Sequence, residues 1–394
     1  MKIMVLGLRA VPGVAGGVET HCEHLYPLVA KAGVEVEIVV RTPYAAAALG
    51  NRWRGVRIRR IWSPRMSGLE TVLHTFLGVL YAGVRRPDVL HLHAIGPALF
   101  SPLARLLGLN VVVTHHGADY ERAKWGPIGK RILRLGERLA MRYANAIISV
   151  SRSKANDLAR AYQREPIAIP NGVPAIVPPG SDAVLRELGL VSGRYVLHVG
   201  RSAPEKRQDD LVSAFVRARL PGWKLVIVGD MTGRDAHSTR VRELASGHED
   251  IVLAGFRSGD ELRELLTQAG CFALPSTIEG FSIALLEALS AGCPVVASDI
   301  SANHEIELPA ACYFPVGDIA AMADALSTLH ARVGTGVWTH LQRHVRNEYG
   351  WRRVASQTLD VYNSCVRKQV AVVSPRRRAD NSSIVRHESS GRST

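Results

Sequence analysis

The sequence predicts an α/β protein made of two Rossmann-like domains, each built around a parallel β-sheet. Three observations support this: short runs of Val, Ile and Leu recur along the chain, longer helix-like segments separate them, and a proline- and glycine-rich stretch divides the series in two. The first half contains IMVLGL, VEIVV, VLHLH, VVVTHH and AIISVS, and the second YVLHVG, KLVIVGD, IVLAGF, CFALPS and PVVASD. Runs this short and apolar are typical of strands buried on both faces, as in parallel sheets flanked by helices.

The boundary between the domains is predicted at IPNGVPAIVPPG, where four prolines and two glycines favour an extended connection. The first domain then covers residues 1–172 and the second residues 181–350. A last helix at 351–368 is expected to pack back across the boundary onto the first domain. From 374 to 394 the sequence is polar, with five arginines against two acids, and predicts a basic disordered tail.

The composition excludes several classes of protein. The chain has 394 residues, 47% hydrophobic and 21% charged, which is ordinary for a folded protein. No run approaches the roughly 20 apolar residues of a membrane-spanning helix. The opening MKIMVLGL is typical of a buried strand rather than a signal peptide, so we expect a cytoplasmic protein. Five scattered cysteines without a CxxC pair argue against a disulfide framework and a zinc site.

The net charge of +14 suggests a polyanionic partner. One stretch, NRWRGVRIRRIWSPR at residues 51–65, carries six arginines and two tryptophans but no acid. It is either a solvated strand–turn–strand with Val56, Ile58 and Ile61 on its buried side, or a patch that meets anionic lipid headgroups, with Trp53 and Trp62 at the interface. We expect no nucleic-acid partner, because no nucleic-acid-binding motif is present.

Three loops at predicted strand ends carry candidate site residues, since ligands of open parallel sheets bind beyond the carboxyl ends of the strands. The first, GLRAVPGVAGGVETH, offers close backbone approach at Gly16 and Gly17 but is not a GxGxxG dinucleotide motif. The second, VGRSAPEKRQDDL, places Arg201 and Lys206 on one loop. These cations either clamp a nucleoside diphosphate or form surface pairs with Glu205 or Asp209.

The third loop, ALPSTIEGFSIALLEALSAGCPVVASD, is the most informative. Glu279 and Gly280 end the loop, Ser282 caps a helix, and Gly292 closes it. Backbone N–H groups at the helix start favour an anion. Glu287 lies two turns further on within an apolar run, where an ionised carboxylate needs partners, and sugar or ribose hydroxyls would supply them.

At these residues the chain resembles glycosyltransferase family 4, the retaining enzymes of the GT-B fold, in which two Rossmann-like domains face each other across a cleft. The family signature is a Glu, seven residues and a second Glu, as in EGFSIALLE. GGVETH, NGV, VGRSAPEKR, LAGF and WRRVASQTLDVY accompany it in the family's order, so the resemblance covers about residues 1 to 368. HHGADYERAKWG is similar to bacterial enzymes of surface polysaccharide assembly.

The resemblance implies a role for each candidate residue. Arg201 and Lys206 would bind the donor diphosphate and stabilise the leaving nucleotide, and Glu279 would contact hydroxyls of the transferred sugar. Glu287 would hold the ribose. His116 would reach the sugar from the first domain, with His115 left open as the alternative. Ser151 matches a family serine for which we expect little direct role. The remaining donor-binding candidates are Gly16, Gly17, Gly280, Phe281 and Ser282.

The resemblance also implies the reaction. A hexose would move with retention from a nucleoside-diphosphate sugar to a glycan acceptor carried on a lipid, at the inner face of the membrane. No Asp-x-Asp occurs, so we expect neither a metal nor another cofactor; the cations would take the metal's part. A non-catalytic or epimerase-type sugar-nucleotide-binding protein of the same fold is the alternative. The sequence names neither the sugar nor the nucleotide base.

Overall fold

The computed structural model describes residues 1–14, 16–46, 50–66, 68–332 and 335–373. They form two α/β domains, each with its own predominantly parallel sheet, as the sequence predicts. The predicted boundary between residues 172 and 181 lies between the last strand of the first sheet and the first strand of the second. The predicted tail at 374–394 lies outside the described residues.

The first sheet has eight strands in the order β3-β4-β2-β1-β5-β6-β7-β8. All its neighbours are parallel except the edge pair β3 and β4. The strands are β1 Lys2–Leu6, β2 Glu35–Arg41, β3 Arg52–Trp53, β4 Val56–Ile61, β5 Val89–His93, β6 Val111–His115, β7 Ala146–Ser149 and β8 Ile167–Ala168. The helices are α1 Gly17–Lys31, α2 Leu69–Arg85, α3 Ser101–Leu106, α4 Pro127–Tyr143 and α5 Arg152–Tyr162.

The second sheet has six strands, all parallel, in the order β11-β10-β9-β12-β13-β14. They are β9 Tyr195–Val199, β10 Lys224–Val228, β11 Ile251–Gly255, β12 Cys271–Leu274, β13 Val295–Ser298 and β14 Tyr313–Phe314. The helices that follow the boundary are α6 Ala183–Glu187, α7 Gln208–Ala218, α8 Ala236–Ser246, α9 Gly259–Gln268, α10 Ile283–Ala291, α11 Ser301–His304, α12 Ile319–Arg332, α13 Thr335–Glu348 and α14 Trp351–Val373.

The first sheet buries both of its faces, because neighbouring side chains along a strand point to opposite sides. Ile3 and Val5 of β1 enter the core beneath α1 and α14. Met4 and Leu6 enter a second core beneath α2, α3 and α4. This double burial explains why the strand runs are continuously apolar rather than alternating.

Helix α14 returns from the second domain and packs on α1 of the first. Its first residue, Trp351, stacks on His24 with ring centroids 5.3 Å apart. A Cβ on Gly172 would lie 2.4 Å from the Trp351 ring, so a glycine is needed where the chain leaves the first domain. Further along, the Tyr362 hydroxyl lies 2.6 Å from Nδ1 of His91, deep in the first sheet.

The arginine-rich stretch forms β3 and β4 at the sheet edge. Val56 and Ile58 are buried, as the strand–turn–strand interpretation requires. Arg57 pairs with Glu35 at 3.1 Å, and Arg59 lies over the ring of Tyr81, 5.2 Å from its centroid. The stretch therefore forms a strand pair with the predicted buried side and partly neutralised charges, and its contact with lipid headgroups stays a prediction. None of the helices in the described ranges has the length and apolarity to cross a bilayer.

Candidate functional site

The predicted loops of the two domains meet at a backbone contact between Gly280 and His116. A Cβ on Gly280 would lie 2.0 Å from the carbonyl oxygen of His116 and 3.5 Å from the Cα of Gly117. The loop after β12 thus lies directly on the loop after β6, and only glycine fits between them. This contact brings the acidic signature of the second domain against the first.

A pocket with a cavity volume of about 120 Å³ opens beside this contact. Both domains line it, which is typical of ligand sites between domains. The first domain supplies His115, Gly117, Ala118, Glu121, Ser149, Val150, Ser151, Ser153, Lys154 and Asp157, and the second Thr277, Ile278, Glu279, Gly280, Ile300, Ser301 and Ala302.

Lys206 and Glu279 form an ion pair at the pocket wall. The distance from Lys206 Nζ to Glu279 Oε1 is 2.5 Å, and both side chains are largely buried. Burial acts to raise the pKa of Glu279, but the Lys206 ammonium, with help from Ser276 and Arg122, holds that pKa below its ordinary value. Glu279 is therefore an anion at neutral pH, with a cation beside it.

Arg201 is partly exposed at the start of the same loop as Lys206. Its Nη2 lies 3.1 Å from Glu205 Oε1, which is one of the surface pairs that the sequence left open. Burial and the nearby guanidinium of Arg122 both lower its pKa. Because 42% of the Arg201 side chain remains exposed, its free edge is available to an anion. Arg122, in the loop between β6 and α4, is not among the candidate residues predicted from the sequence.

The start of α10 has the geometry that the sequence predicts. The Ser282 hydroxyl accepts a hydrogen bond from the N–H of Leu285, and Gly292 closes the helix with φ 83°. The amide of Asn171 donates to the carbonyl of Phe281 at 2.7 Å. Phe281 as a whole is buried. Within the described residues, no protein group accepts a hydrogen bond from the N–H of Gly280 or Phe281.

Glu287 lies within α10 and has no ion pair or hydrogen-bond partner among the residues that the structure describes. Burial raises its pKa from 4.5 to about 7. Once this buried carboxyl group ionises, it is a strong acceptor of hydrogen bonds from hydroxyl groups, because no protein group of the described ranges already binds it. The arrangement differs from that of Glu279, whose negative charge is stabilised by Lys206.

The two adjacent histidines make different contacts. His115 is buried, and its Nε2 lies 2.9 Å from Glu137 Oε2. His116 turns the other way, with Nε2 2.9 Å from Nδ1 of His93. Burial and neighbouring imidazoles hold its pKa well below the ordinary value, so the ring is neutral. Through its carbonyl, His116 also forms the contact with Gly280.

One group of side chains within the described ranges has the donors to hold a transition metal. A ring nitrogen from each of His21, His93 and His116 lies within 4.8 Å of the others. Each ring already has a protein partner: His21 Nδ1 lies 2.9 Å from Asn171 Oδ1, and His93 Nε2 lies 2.5 Å from the Tyr26 hydroxyl. The sequence reasoning missed this cluster, although VLHLH and HHG end neighbouring strands.

Gly16 and Gly17 lie where α1 begins. Gly16 has φ 156°, a backbone conformation that other residues rarely adopt, so this position favours glycine, whereas a Cβ on Gly17 would meet nothing within 4 Å. Glu19 pairs with Arg9 at 3.0 Å. The helix start at Gly17 therefore presents an open backbone surface, with an ion pair beside it that the sequence did not single out.

A second contact between the domains involves Ser151. Its hydroxyl donates to Glu305 of the second domain at 2.5 Å, and the same carboxylate accepts from the N–H groups of Arg152 and Ser153 at 2.9 and 3.1 Å. Glu305 thus binds the positive end of α5, where anions are stabilised. Ser151 contributes to holding the domains together, and sequence reasoning missed Glu305.

Two family models and several known proteins match this chain. Residues 15–175 match the family model described as Glycosyltransferase Family 4, and residues 193–332 match Glycosyl transferases group 1. Alpha-maltose-1-phosphate synthase of Mycobacterium tuberculosis is 29% identical over 76% of this chain and 85% of its own length. A D-inositol 3-phosphate glycosyltransferase of Salinispora tropica is 28% identical over 90% and 82%.

Solved structures share the fold. Sucrose-phosphate synthase of Thermosynechococcus elongatus superposes with a TM-score of 0.79 at 20% identity, over 94% of this chain and 99% of its own. The Anabaena protein HepE, in complex with UDP-glucose, gives a TM-score of 0.76 at 18% identity, over 92% and 100%.

Proposed function

The chain belongs to glycosyltransferase family 4 and has the GT-B fold, and on that premise we propose that it transfers a hexose, with retention of configuration, from a nucleoside-diphosphate sugar to a glycan acceptor. The observation that carries this proposal is the buried Lys206–Glu279 pair beside the contact of Gly280 with His116. It places a cation, an anion and free backbone N–H groups where the two domains meet.

Each charge has a part in the proposed transfer. Lys206, with Arg201, binds the diphosphate and stabilises the charge that develops on the departing nucleotide. Glu279, kept ionised by Lys206, accepts hydrogen bonds from hydroxyls of the transferred sugar. The N–H groups of Gly280 and Phe281 point toward the phosphate. The phosphate itself takes the acceptor's proton as the acceptor attacks from the leaving-group face, so no protein base is assigned.

The neutral imidazole of His116 contacts the sugar from the first domain. We choose it over His115 because the His116 carbonyl lies at the contact with Gly280 of the second domain; both rings have protein partners, Glu137 for His115 and His93 for His116. Its low pKa keeps it uncharged, which suits a hydroxyl ligand better than a cation does. Glu287 receives the two ribose hydroxyls.

We propose that donor binding needs no metal. Lys206 and Arg201 supply positive charge at the place where a divalent ion would otherwise be required, and Asp-x-Asp is absent from the sequence. A uridine nucleotide is the first donor to test, because the HepE structures contain UDP and UDP-glucose.

The proposed acceptor is a lipid-linked glycan of surface polysaccharide assembly, met by a peripherally bound enzyme at the inner face of the membrane. The names of the sequence relatives point to a second class of acceptor, small phosphorylated sugars or inositol phosphate. An acceptor screen that contains both classes decides between them.

The first experiment is a panel of nucleotide-sugars tested for protection against thermal unfolding, followed by transfer assays with the best donor. We expect Glu279→Gln and Lys206→Ala each to lower kcat about 10²- to 10³-fold while the fold remains intact, because lost electrostatic stabilisation costs about that much. The matched control is Glu187→Gln, which breaks an exposed carboxylate pair with Arg257 and should leave kcat unchanged. Near-normal turnover by either site variant at saturating donor would contradict this assignment.

A further inference from the structure

Helix α2 exposes a continuous apolar stripe. Along its outer side every exposed residue up to Val84 is apolar, at spacings of three and four that keep one side of a helix. Val84 is 82% exposed, so this apolar side chain is not covered by the rest of the protein. The stripe comprises Leu69, Val72, Phe76, Leu80 and Val84.

Helix α4 also exposes apolar side chains, and it carries positive charge among them. Its exposed side carries the apolar residues Ile128, Ile132, Leu135 and Tyr143 and the cations Arg131, Arg134, Arg138 and Arg142. The one acid of this helix, Glu137, points inward to His115, Tyr120 and Tyr162. The outer side of α4 is therefore both apolar and wholly basic.

These helices lie side by side on one face of the first sheet. A Cβ on Gly96 would lie 3.7 Å from the side chain of Thr71 in α2 and 3.6 Å from that of Leu133 in α4, so the two helices approach each other there. Between the two helices, α3 ends in Leu106, which is 84% exposed. We call the outer surface of α2, α3 and α4 the helical face.

Negative charge is absent from the outer side of the helical face. Besides Glu137, the only acid on the three helices is Glu70. Its carboxylate binds Arg41 at 2.9 Å and the Tyr44 hydroxyl at 2.6 Å. Both acids are thus directed at partners within the domain, and the cations of α4 have no carboxylate of these helices beside them.

We propose that the helical face docks on the surface of an anionic lipid bilayer. Apolar side chains would enter the interface and the arginines of α4 would meet the headgroups, as in amphipathic helices that lie in the membrane plane. This rests on the proposed function, because a lipid-linked acceptor is found only at a membrane. The face also adjoins the pocket: Trp125, which packs against Gly68 and Gly129, follows the pocket residues Gly117, Ala118 and Glu121.

A second copy of this chain fits the face less well than a bilayer does. In a two-fold dimer the same patch meets itself, which would bring the arginines of one α4 toward those of the other. Like charges across an interface are unfavourable. An anionic surface is complementary to both properties of the face, its exposed apolar stripe and its uniform positive charge.

The test is co-sedimentation of the full chain with vesicles of phosphatidylglycerol and phosphatidylcholine, against phosphatidylcholine alone. Arg131→Gln, Arg138→Gln and Arg142→Gln are combined in one variant, and Phe76→Gln and Leu80→Gln in another. Since each basic residue near an anionic surface contributes about a factor of five to binding, we expect the first variant to lower the partition coefficient about 100-fold. The second should lower it at least tenfold, because two apolar side chains no longer enter the interface.

The matched control combines Arg217→Gln, Arg234→Gln and Arg240→Gln on the exposed surface of the second domain, which removes the same net charge and should leave vesicle binding nearly unchanged. An equal loss in this control would show that only total charge matters and would overturn the proposal. The same holds if reversing Arg57, Arg59 and Arg60 to Glu abolished binding while the α4 variant bound normally, since docking would then belong to the edge strands.

Two further measurements separate this proposal from the proposed function. Protection against unfolding by the nucleotide-sugar should be the same in both face variants, because neither touches the pocket. A full chain that ignores anionic vesicles but is protected by the donor overturns the docking proposal alone. Light scattering tests whether a second copy of the chain covers the helical face instead. If the parent is a dimer and the variant with Phe76→Gln and Leu80→Gln is a monomer, the face belongs to a dimer interface and bilayer docking is refuted.

Discussion

Replacing Glu287 by Gln should stabilise the protein, and by an amount that grows with pH. Burial raises the pKa of this carboxyl group from 4.5 to about 7. Below about pH 4.5 the group is protonated in both the folded and the unfolded chain, so it does not change the free energy of unfolding. As the pH rises toward 7 the unfolded chain loses this proton while the folded chain keeps it, so the free energy of unfolding falls. Above pH 7 the loss is complete.

The size of the effect follows from the difference of about 2.5 between the two pKa values. At about 1.4 kcal/mol for each pKa unit, the buried carboxylate lowers the free energy of unfolding by at most about 3.5 kcal/mol well above pH 7. Water at the partly exposed side chain reduces this upper bound. At pH 5 the cost is below about 1 kcal/mol. Glu287→Gln should therefore be more stable than the parent by about 2–3 kcal/mol at pH 8.5 and nearly equal at pH 5.

Urea denaturation at the two pH values, followed by tryptophan fluorescence, measures this difference. Glu249→Gln, at an exposed carboxylate of the second domain, is the control and should show no such dependence on pH. A stability gap that is the same at pH 5 and pH 8.5, or a parent more stable than the variant at pH 8.5, would refute the argument. Ribose hydroxyls that bind the ionised carboxylate would also make nucleotide affinity rise between pH 6 and 7.5 in the parent and not in the variant.

Two further predictions concern the cleft. Gly280→Ala should lower kcat/KM at least tenfold, because its Cβ would lie 2.0 Å from the His116 carbonyl and force the two loops apart. The control is Gly247→Ala, where a Cβ meets nothing within 4 Å. Equal activity of the two variants would show that the contact between Gly280 and His116 is not needed. Nucleoside diphosphate should bind with the same affinity by calorimetry in excess chelator, and a strict need for magnesium or manganese would contradict the role given to Arg201 and Lys206.

Local patterns predicted the parts of the site that lie close together in sequence. Glu279, Ser282 and Glu287 follow from one loop and the helix after it, since capping and helical spacing are local rules. Lys206 and Glu279 lie on the loops after β9 and β12, which are neighbours in the sheet, so topology brings them together. The distance between their charged atoms could not be foreseen.

Contacts between distant segments escaped the sequence. Ser151 and Glu305 are 154 positions apart and in different domains, and no periodicity connects them. The acids beside the arginine-rich stretch escaped it too, since Glu37 meets Arg57 only through the pairing of β2 with β4. The exposed stripe of helix α2 could not be predicted from the sequence for a different reason. Both its inner and outer sides are apolar, so hydrophobicity alone could not tell which side faces water.

The return of α14 to the first domain limits how the two halves can move. The chain passes between the domains twice, at residues 172–173 and 350–351, and the two passages are joined, because the N–H of Val173 donates to the carbonyl of Tyr349 at 2.7 Å. We therefore expect the domains to separate by rotation about a hinge formed by these two paired segments. Such a swing would break the Gly280–His116 and Ser151–Glu305 contacts together, and would leave the hinge bonds in place.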